Sequence, residues 1–292
     1  MDANNLIIAK MSLISETKKI CKLNNIKPAR SKGQNFLIKE GIYKKIILAA
    51  NLDKNDTVLE VGPGLGFLTA KLAQHVEKVV AVELDNKLAE ILKNRLDELG
   101  IKNVEIVNQD ILKSESQKSI KSLKSYKVVA NLPYNITSRF LRKFLEEIEN
   151  KPTMMVLMLQ KEVAERIIAK PGQMSLLAVS VQFYTEARIV GNAPKEAFWP
   201  EPKVDSAIIQ LRIRNYESGI NDEEKFFNFV RAGFSAKRKQ LQGNLSKGLK
   251  IRSDKIKDIL KVNGLKETVR AQELSVDDWK KIFLVMDGQN MV

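Results

Sequence analysis

Thr57-Val58-Leu59-Glu60-Val61-Gly62-Pro63-Gly64-Leu65-Gly66 is the stretch that decides the fold of this chain. Its first half is a short apolar run of the kind that fills a buried parallel strand. Its second half sets three glycines at alternate positions, where the backbone turns tightly and a ligand meets no Cβ. Residues 67–75 then read as a helix, 78–82 (KVVAV) as a second strand, and 104–107 and 126–130 as a third and fourth. Between the second and third strands Leu88, Ile91, Leu92, Leu96 and Leu99 recur at helical spacing until Gly100 stops the helix. Helix and strand keep alternating through 139–149, 154–159 and 162–169. This rhythm predicts an α/β fold, a mostly parallel, doubly wound sheet with helices on both faces. It breaks at 187–190 and 204–213, two β-like segments expected to pair antiparallel at the far side of the sheet.

Outward from this Rossmann-like body the chain changes character. Residues 1–20 read as a loosely attached leader, with a helix from Leu6 onward. At the other end Glu217, Ser218 and Gly219 form a hinge-like stretch, and helical segments follow at 222–235, 239–248, 253–262 and 275–286. The expected organisation is a leader (1–20), a Rossmann-like α/β domain (21–215) and a small C-terminal helical domain (216–292).

Composition narrows the chemistry. The chain has 292 residues, 44% of them hydrophobic, an ordinary globular balance. No apolar run approaches the ~18–20 residues that span a bilayer, and residues 1–20 lack an apolar stretch followed by a small-residue cleavage site. A cytoplasmic protein with no membrane contact is expected, and nothing suggests an obligate dimer, so a monomer is expected too. One cysteine, Cys21, and one histidine, His75, leave no material for a disulfide framework or a Cys/His metal cluster. His75 reads as a surface or structural residue. Whatever reaction occurs here runs without a nucleophilic thiol and without an imidazole base. The formal net charge of +14 favours a polyanionic partner.

Two acidic residues sharpen the glycine turn, which alone would suit a dinucleotide, S-adenosylmethionine or no ligand. Glu83 closes the second strand (VELD), where a carboxylate can accept both ribose hydroxyls. Asp110 follows the third strand (NQD), where it can accept from an adenine amine. Both stand at strand ends beside the glycine turn that holds Gly62 and Gly64. Phe67 stands where a dinucleotide fingerprint wants Gly or Ala, which counts against a nicotinamide. A cofactor containing a nucleoside follows.

After the fourth strand comes Asn131-Leu132-Pro133-Tyr134. Adenine's exocyclic nitrogen is a poor nucleophile because its lone pair is delocalised into the ring. The Asn131 side-chain oxygen and the Leu132 carbonyl can both accept from that amine, turning it towards a methyl donor. Pro133 stiffens the turn, and Tyr134 offers a face on which an extruded base stacks, worth roughly 1–3 kcal/mol. The amine attacks as a neutral group and the alkylated product loses its proton to water, so no strong base is needed.

These motifs resemble the ribosomal RNA adenine dimethyltransferases, the small-subunit dimethyladenosine transferases and their large-subunit, macrolide-resistance relatives. The resemblance runs from about Pro28 to Leu249. It rests on Gly33-Gln34-Asn35-Phe36-Leu37, EVGPGLG at 60–66, VELD at 82–85, NLPYNI at 131–136, LQKEVAER at 159–166 and FWPEPKVDS at 198–206. It implies S-adenosylmethionine as cofactor, with Asn35 and Leu37 closing over it. Gly62 would lie against its methionine part, Glu83 against the ribose, Asp110 against the adenine, and Asn131 between cofactor and target amine. Phe198 would stack on the target base opposite Tyr134. NLPYNI and LQKEVAER favour the small-subunit branch, whose activity is dimethylation of two adjacent adenosines in the 3′-terminal hairpin loop of 16S rRNA. The alternatives are a 23S rRNA dimethyltransferase of the macrolide-resistance type and a ribosome-assembly factor that keeps only the fold.

Between Ala232 and Ser253 stand six basic residues and no acidic one: Lys237, Arg238, Lys239, Lys247, Lys250 and Arg252. Such a face suits an RNA backbone, which positions a protein without reading sequence. Lys113, Lys118, Lys121, Lys124 and Lys127 form a second basic group that reads as a solvated loop and helix.

Overall fold

The computed structural model describes residues 12–28, 34–113, 120–214, 219–289 and 291–292. In chain order these begin with α1 (Leu13–Leu23), β1 (Phe36–Leu37) and α2 (Glu40–Ala50). The alternating body follows as β2 (Thr57–Val61), α3 (Phe67–Leu72), β3 (Lys78–Glu83), α4 (Asn86–Glu98), β4 (Val104–Asn108), β5 (Lys127–Asn131), α5 (Thr137–Arg142) and β6 (Met154–Gln160). Then come α6 (Lys161–Ile167), α7 (Leu176–Tyr184), β7 (Thr185–Ala193), β8 (Phe198–Trp199) and β9 (Ser206–Ile213). The helices α8 (Glu223–Gly233), α9 (Leu241–Leu249), α10 (Ser253–Val262) and α11 (Val276–Gly288) complete the chain.

Seven strands form one sheet in the order β4-β3-β2-β5-β6-β9-β7. Those from β2 to β6 run parallel, and β9 joins β6 antiparallel. The interior strands lack polar alternation because both faces are covered: β6, MMVLMLQ, is buried at every position but its last. The glycine turn lets α3 fold back closely. Gly66 has φ +79°, and a Cβ there would come within 2.5 Å of the Leu92 side chain on α4. The chain steps from β2 out to β3 and β4, then returns to lay β5 on the other side of β2. At this reversal the loops leaving β2 and β5 diverge, and open α/β sheets hold ligands in the crevice so formed.

The amino-terminal segment departs from the expected loose leader. Ser12 caps α1 by accepting from the Ser15 N–H, Thr17 and Cys21 are buried, and Leu13 and Ile20 pack on the main core. Glu16 pairs with Arg95 of α4 at 2.8 Å. A boundary at residue 20 therefore cuts an integral helix in two; the expected start at Leu6 lies outside the described residues.

Two compact units emerge, Met1–Ala164 with Arg188–Ile213 and Glu165–Ala187 with Arg214–Val292. The sequence suggested a single cut near 215, at hinge residues that fall mostly outside the described ones. The second unit instead takes in α7, for which the sequence reading held no element. LLAVSVQFY is apolar on nearly every side, and its Phe183 packs on Phe226 at 4.9 Å and Phe227 at 5.2 Å between ring centroids. Tyr184 donates its hydroxyl to Glu223 at 2.6 Å. A helix so apolar must be covered on several faces, and the aromatic side of α8 does this.

Candidate active site

The crevice at the strand reversal is a cavity of about 460 Å³. Its wall is formed by the glycine turn, the ends of β3 and β5, the turn after β4, and residues 34–37 from the amino-terminal side. Glu83 organises the floor. Its Oε2 accepts from the Gly64 N–H at 3.1 Å and its Oε1 from the Asp85 N–H at 2.9 Å. Burial pushes this carboxyl above its ordinary range, and the two N–H bonds pull it back. Each oxygen keeps a lone pair for a further donor, as a ribose diol would supply.

Asp110 sits half-buried in the turn after β4, where its Oδ1 accepts from the Leu112 N–H at 2.9 Å. Behind this turn lies Lys143, only 4% exposed, on a π-helical turn (Lys143–Glu147) that continues α5. Its Nζ donates to the Lys113 carbonyl at 2.7 Å. Burial lowers the lysine's pKa, while Glu147 and Asp110 act in the opposite direction.

Asn131 ends β5. Its Nδ2 donates to the Asn35 main-chain carbonyl at 3.4 Å. A carbonyl only accepts, so this contact fixes which end of the Asn131 amide faces Asn35 and leaves Oδ1 available as an acceptor. Leu132 is 1% exposed, which buries its side chain and leaves its carbonyl as the group of chemical interest. Pro133 abuts Gly62, where a Cβ would stand 3.7 Å from the proline ring. The Tyr134 ring is half-buried with its hydroxyl paired to Ser206 Oγ at 2.8 Å.

Phe198 differs from the open stacking face the sequence suggested. It is 3% exposed, paired through β8 with Leu37 of β1, and part of the main hydrophobic core. The apolar ring is covered because β1 and β8 are held together, with the Ile38 N–H also donating to the Ala197 carbonyl at 2.8 Å. Leu37 is likewise buried at the cavity edge. Gly33 lies outside the described residues.

Sequence reasoning overlooked Glu60. This residue is 1% exposed within the apolar run of β2, and it lines the cavity. An acidic residue inside an otherwise apolar parallel strand, next to a glycine turn, was the available signal.

In the second unit Lys237, Arg238 and Lys239 are exposed on the turn between α8 and α9, and Lys247 is exposed on α9. Arg252, counted with them in the sequence, is engaged by Asp254 at 2.8 Å. In the second basic group Lys127 pairs with Asp56 at 2.7 Å and Lys121 with Glu149 at 3.6 Å. Lys118 is outside the described residues. His75 is exposed. Among the described residues no group of His, Cys, Asp and Glu is arranged to hold a metal ion, and no helix is long and apolar enough to cross a membrane.

A family model for ribosomal RNA adenine dimethylase matches residues 25–287. The chain belongs to the ribosomal RNA adenine dimethylase family. A curated relative, ribosomal RNA small subunit methyltransferase A of Dehalococcoides mccartyi, is 42% identical over 289 residues, covering 98% of each chain. A solved dimethyladenosine transferase from Plasmodium falciparum matches with 28% identity and a TM-score of 0.76, covering 87% of this chain and 98% of that one. The 23S rRNA methyltransferase ErmE matches with 28% identity and a TM-score of 0.71, covering 87% of this chain and all of that one.

The dimethylase cavity fits S-adenosylmethionine by the chemistry of its wall. Glu83 and Asp110 offer acceptors to a nucleoside. Asn35 Oδ1 is a buried acceptor with no hydrogen-bond donor, and an ammonium-bearing ligand supplies the donor it lacks.

Proposed function

We propose that this enzyme dimethylates the exocyclic amines of two adjacent adenosines in the 3′-terminal hairpin loop of 16S rRNA, in the cytoplasm, as a monomer. The observation that carries the reading is the Asn131–Asn35 contact, which leaves Asn131 Oδ1 to accept from an amine at the end of β5. The cofactor supplies a methyl group on a positively charged sulfur. Asn131 Oδ1 and the Leu132 carbonyl hold the two amine protons, which turns the nitrogen lone pair towards that methyl. These two oxygens would also stabilise the positive charge that methyl transfer places on the nitrogen. The extra proton then leaves to water. A monomethylated amine keeps one proton, so one of the two acceptors still orients it for a second transfer. The Tyr134 ring, held at its hydroxyl by Ser206, offers the extruded base a stacking face. Phe198 completes a sandwich only if β8 gives way as RNA enters.

The exposed basic turn at 237–239, with Lys247, is the surface that meets the RNA backbone. The name and extent of the small-subunit relative support the small subunit over 23S rRNA. The experiment is methyl transfer from labelled S-adenosylmethionine to small subunits lacking the modification, with 23S rRNA in parallel. Dimethyladenosine on the small subunit alone, lost with Asn131→Ala, is expected. Label on 23S rRNA would replace the substrate while keeping the mechanism. Cofactor binding without label on either would mean that the substrate is a different one while the fold and the cofactor stand, and loss of cofactor binding would leave a protein that keeps only the fold.

A further inference from the structure

The outer face of α1 carries a charge for which the cavity has no use. Thr17 and Cys21 turn into the core and Leu13 and Ile20 pack on it, which fixes the helix on that side. Ser15, Lys18, Lys19 and Lys22 follow the spacing of a single helical stripe, and all four are exposed. Glu16, the only acid in α1, is taken by Arg95 of α4 at 2.8 Å. Among the described residues no acid pairs with any of the three lysines. Like charges so spaced weaken a helix, a cost that a polyanion lying along the stripe removes.

The stripe leads to an aromatic ring. Lys18 Nζ stands 5.9 Å from the centre of the Trp199 ring. Trp199 is half-buried in β8, directly across from Phe36 of β1. Phe36 in turn lines the cavity and meets the glycine turn, where a Cβ on Gly64 would stand 3.4 Å from its ring. The acids of the loop that follows β8 are engaged elsewhere: Glu201 by Lys195 Nζ at 2.8 Å, and Asp205 by the Lys195 N–H at 3.0 Å. The lysine stripe and the open part of one indole therefore run up to the edge of the cavity.

We propose that the outer face of α1 and Trp199 form an RNA-binding surface that holds the strand flanking the target adenosine. The three lysines neutralise phosphates as point charges, and the exposed part of the indole stacks on a neighbouring unpaired base. Extruding a base costs its stacking, and a grip on its neighbours offsets that cost. This surface rests on the RNA substrate proposed above and adds a contact separate from the basic turn at 237–239.

Binding of the full chain to small subunits lacking the modification, followed through a salt titration, tests this. Lys18→Gln, Lys19→Gln and Lys22→Gln together should weaken binding about tenfold at low salt and flatten the slope of log affinity against log salt by about two. Affinity for S-adenosylhomocysteine should not change, since none of the three lines the cavity. Trp199→Leu should weaken binding roughly fivefold or more at an unchanged slope, the loss of one base stack. Trp199→Phe, which keeps an aromatic face, should recover most of it. A wild-type slope in the triple variant overturns the proposal, and the RNA substrate stands if charge reversal at 237–239 still flattens the slope. A parallel loss of S-adenosylhomocysteine affinity in the triple variant also overturns it, because α1 would then only support the cavity. A wild type that leaves small subunits unbound removes the substrate and this surface together.

Discussion

The Asn131 side chain donates to the main-chain carbonyl of Asn35 across 3.4 Å, tying the end of β5 to the amino-terminal edge of the cavity. Asn131→Asp keeps an oxygen at the same place but loses the donor and sets a negative charge against a carbonyl. Both Asn131→Asp and Asn131→Ala are expected to lower kcat by roughly 10²–10³-fold, the usual loss for one group aimed at developing charge. Single-turnover transfer and cofactor titration together check this. Transfer should fall far more than affinity; parallel losses would reduce Asn131 to a cofactor-binding residue.

Glu60 ties stability to pH. Its folded-state pKa of about 8 lies above the unfolded carboxylate value. Between the two the folded protein binds the extra proton, so this group's contribution falls as pH rises through that window. Each pH unit within it costs about 1.4 kcal/mol at most. Melting without cofactor should show lower wild-type stability at pH 8 than at pH 6, with a smaller decline in Glu60→Gln. Identical pH profiles would mean that Glu60 is solvated or paired in solution.

Much of the sheet was legible because β2, β3 and β5 are short apolar runs bounded by turn residues, and α4 carries a regular leucine stripe. Glu83 and Asp110 stood out because one closes β3 and the other comes just after β4, and both line the cavity. α7 was not: in LLAVSVQFY apolar residues surround the axis, so neither helical nor strand periodicity stands out. The packing of α1 on the core was missed, although a helix was expected there, because its buried positions include Thr17 and Cys21, which do not read as a core face. Phe198 illustrates the remaining gap. Aromatics flanked by proline suggested a binding loop, while the pairing of β8 with a two-residue strand at 36–37, invisible in sequence, covers the ring.

Lys143 is expected to position the turn that carries Asp110. Its ammonium holds the Lys113 carbonyl, and the turn closes on itself through the Lys113 N–H and the Asp110 carbonyl at 3.0 Å. Lys143→Met keeps the volume of the chain but removes the donor of the Lys113 carbonyl, a loss of about 1–3 kcal/mol where the acceptor stays buried. The variant should melt lower by that amount and bind S-adenosylhomocysteine several-fold more weakly, with Lys143→Arg in between. A loss of stability without a loss of affinity would make the lysine merely structural.

The basic turn of the second unit is held by a buried amide. Asn244 donates to the Gly233 carbonyl at 2.7 Å and the Ala236 carbonyl at 3.0 Å, anchoring the chain that leads into Lys237, Arg238 and Lys239. Each phosphate these residues neutralise adds about 0.7–0.9 to the slope of log affinity against log salt. Charge reversal of all three to Glu should weaken small-subunit binding at least tenfold at low salt and flatten that slope by about two. Cofactor affinity should not change, since none of the three lines the cavity. Asn244→Ala, which keeps every charge but frees the turn, should weaken binding less and leave the slope near wild type. An unaltered salt slope in the triple reversal would move the RNA surface elsewhere on the protein.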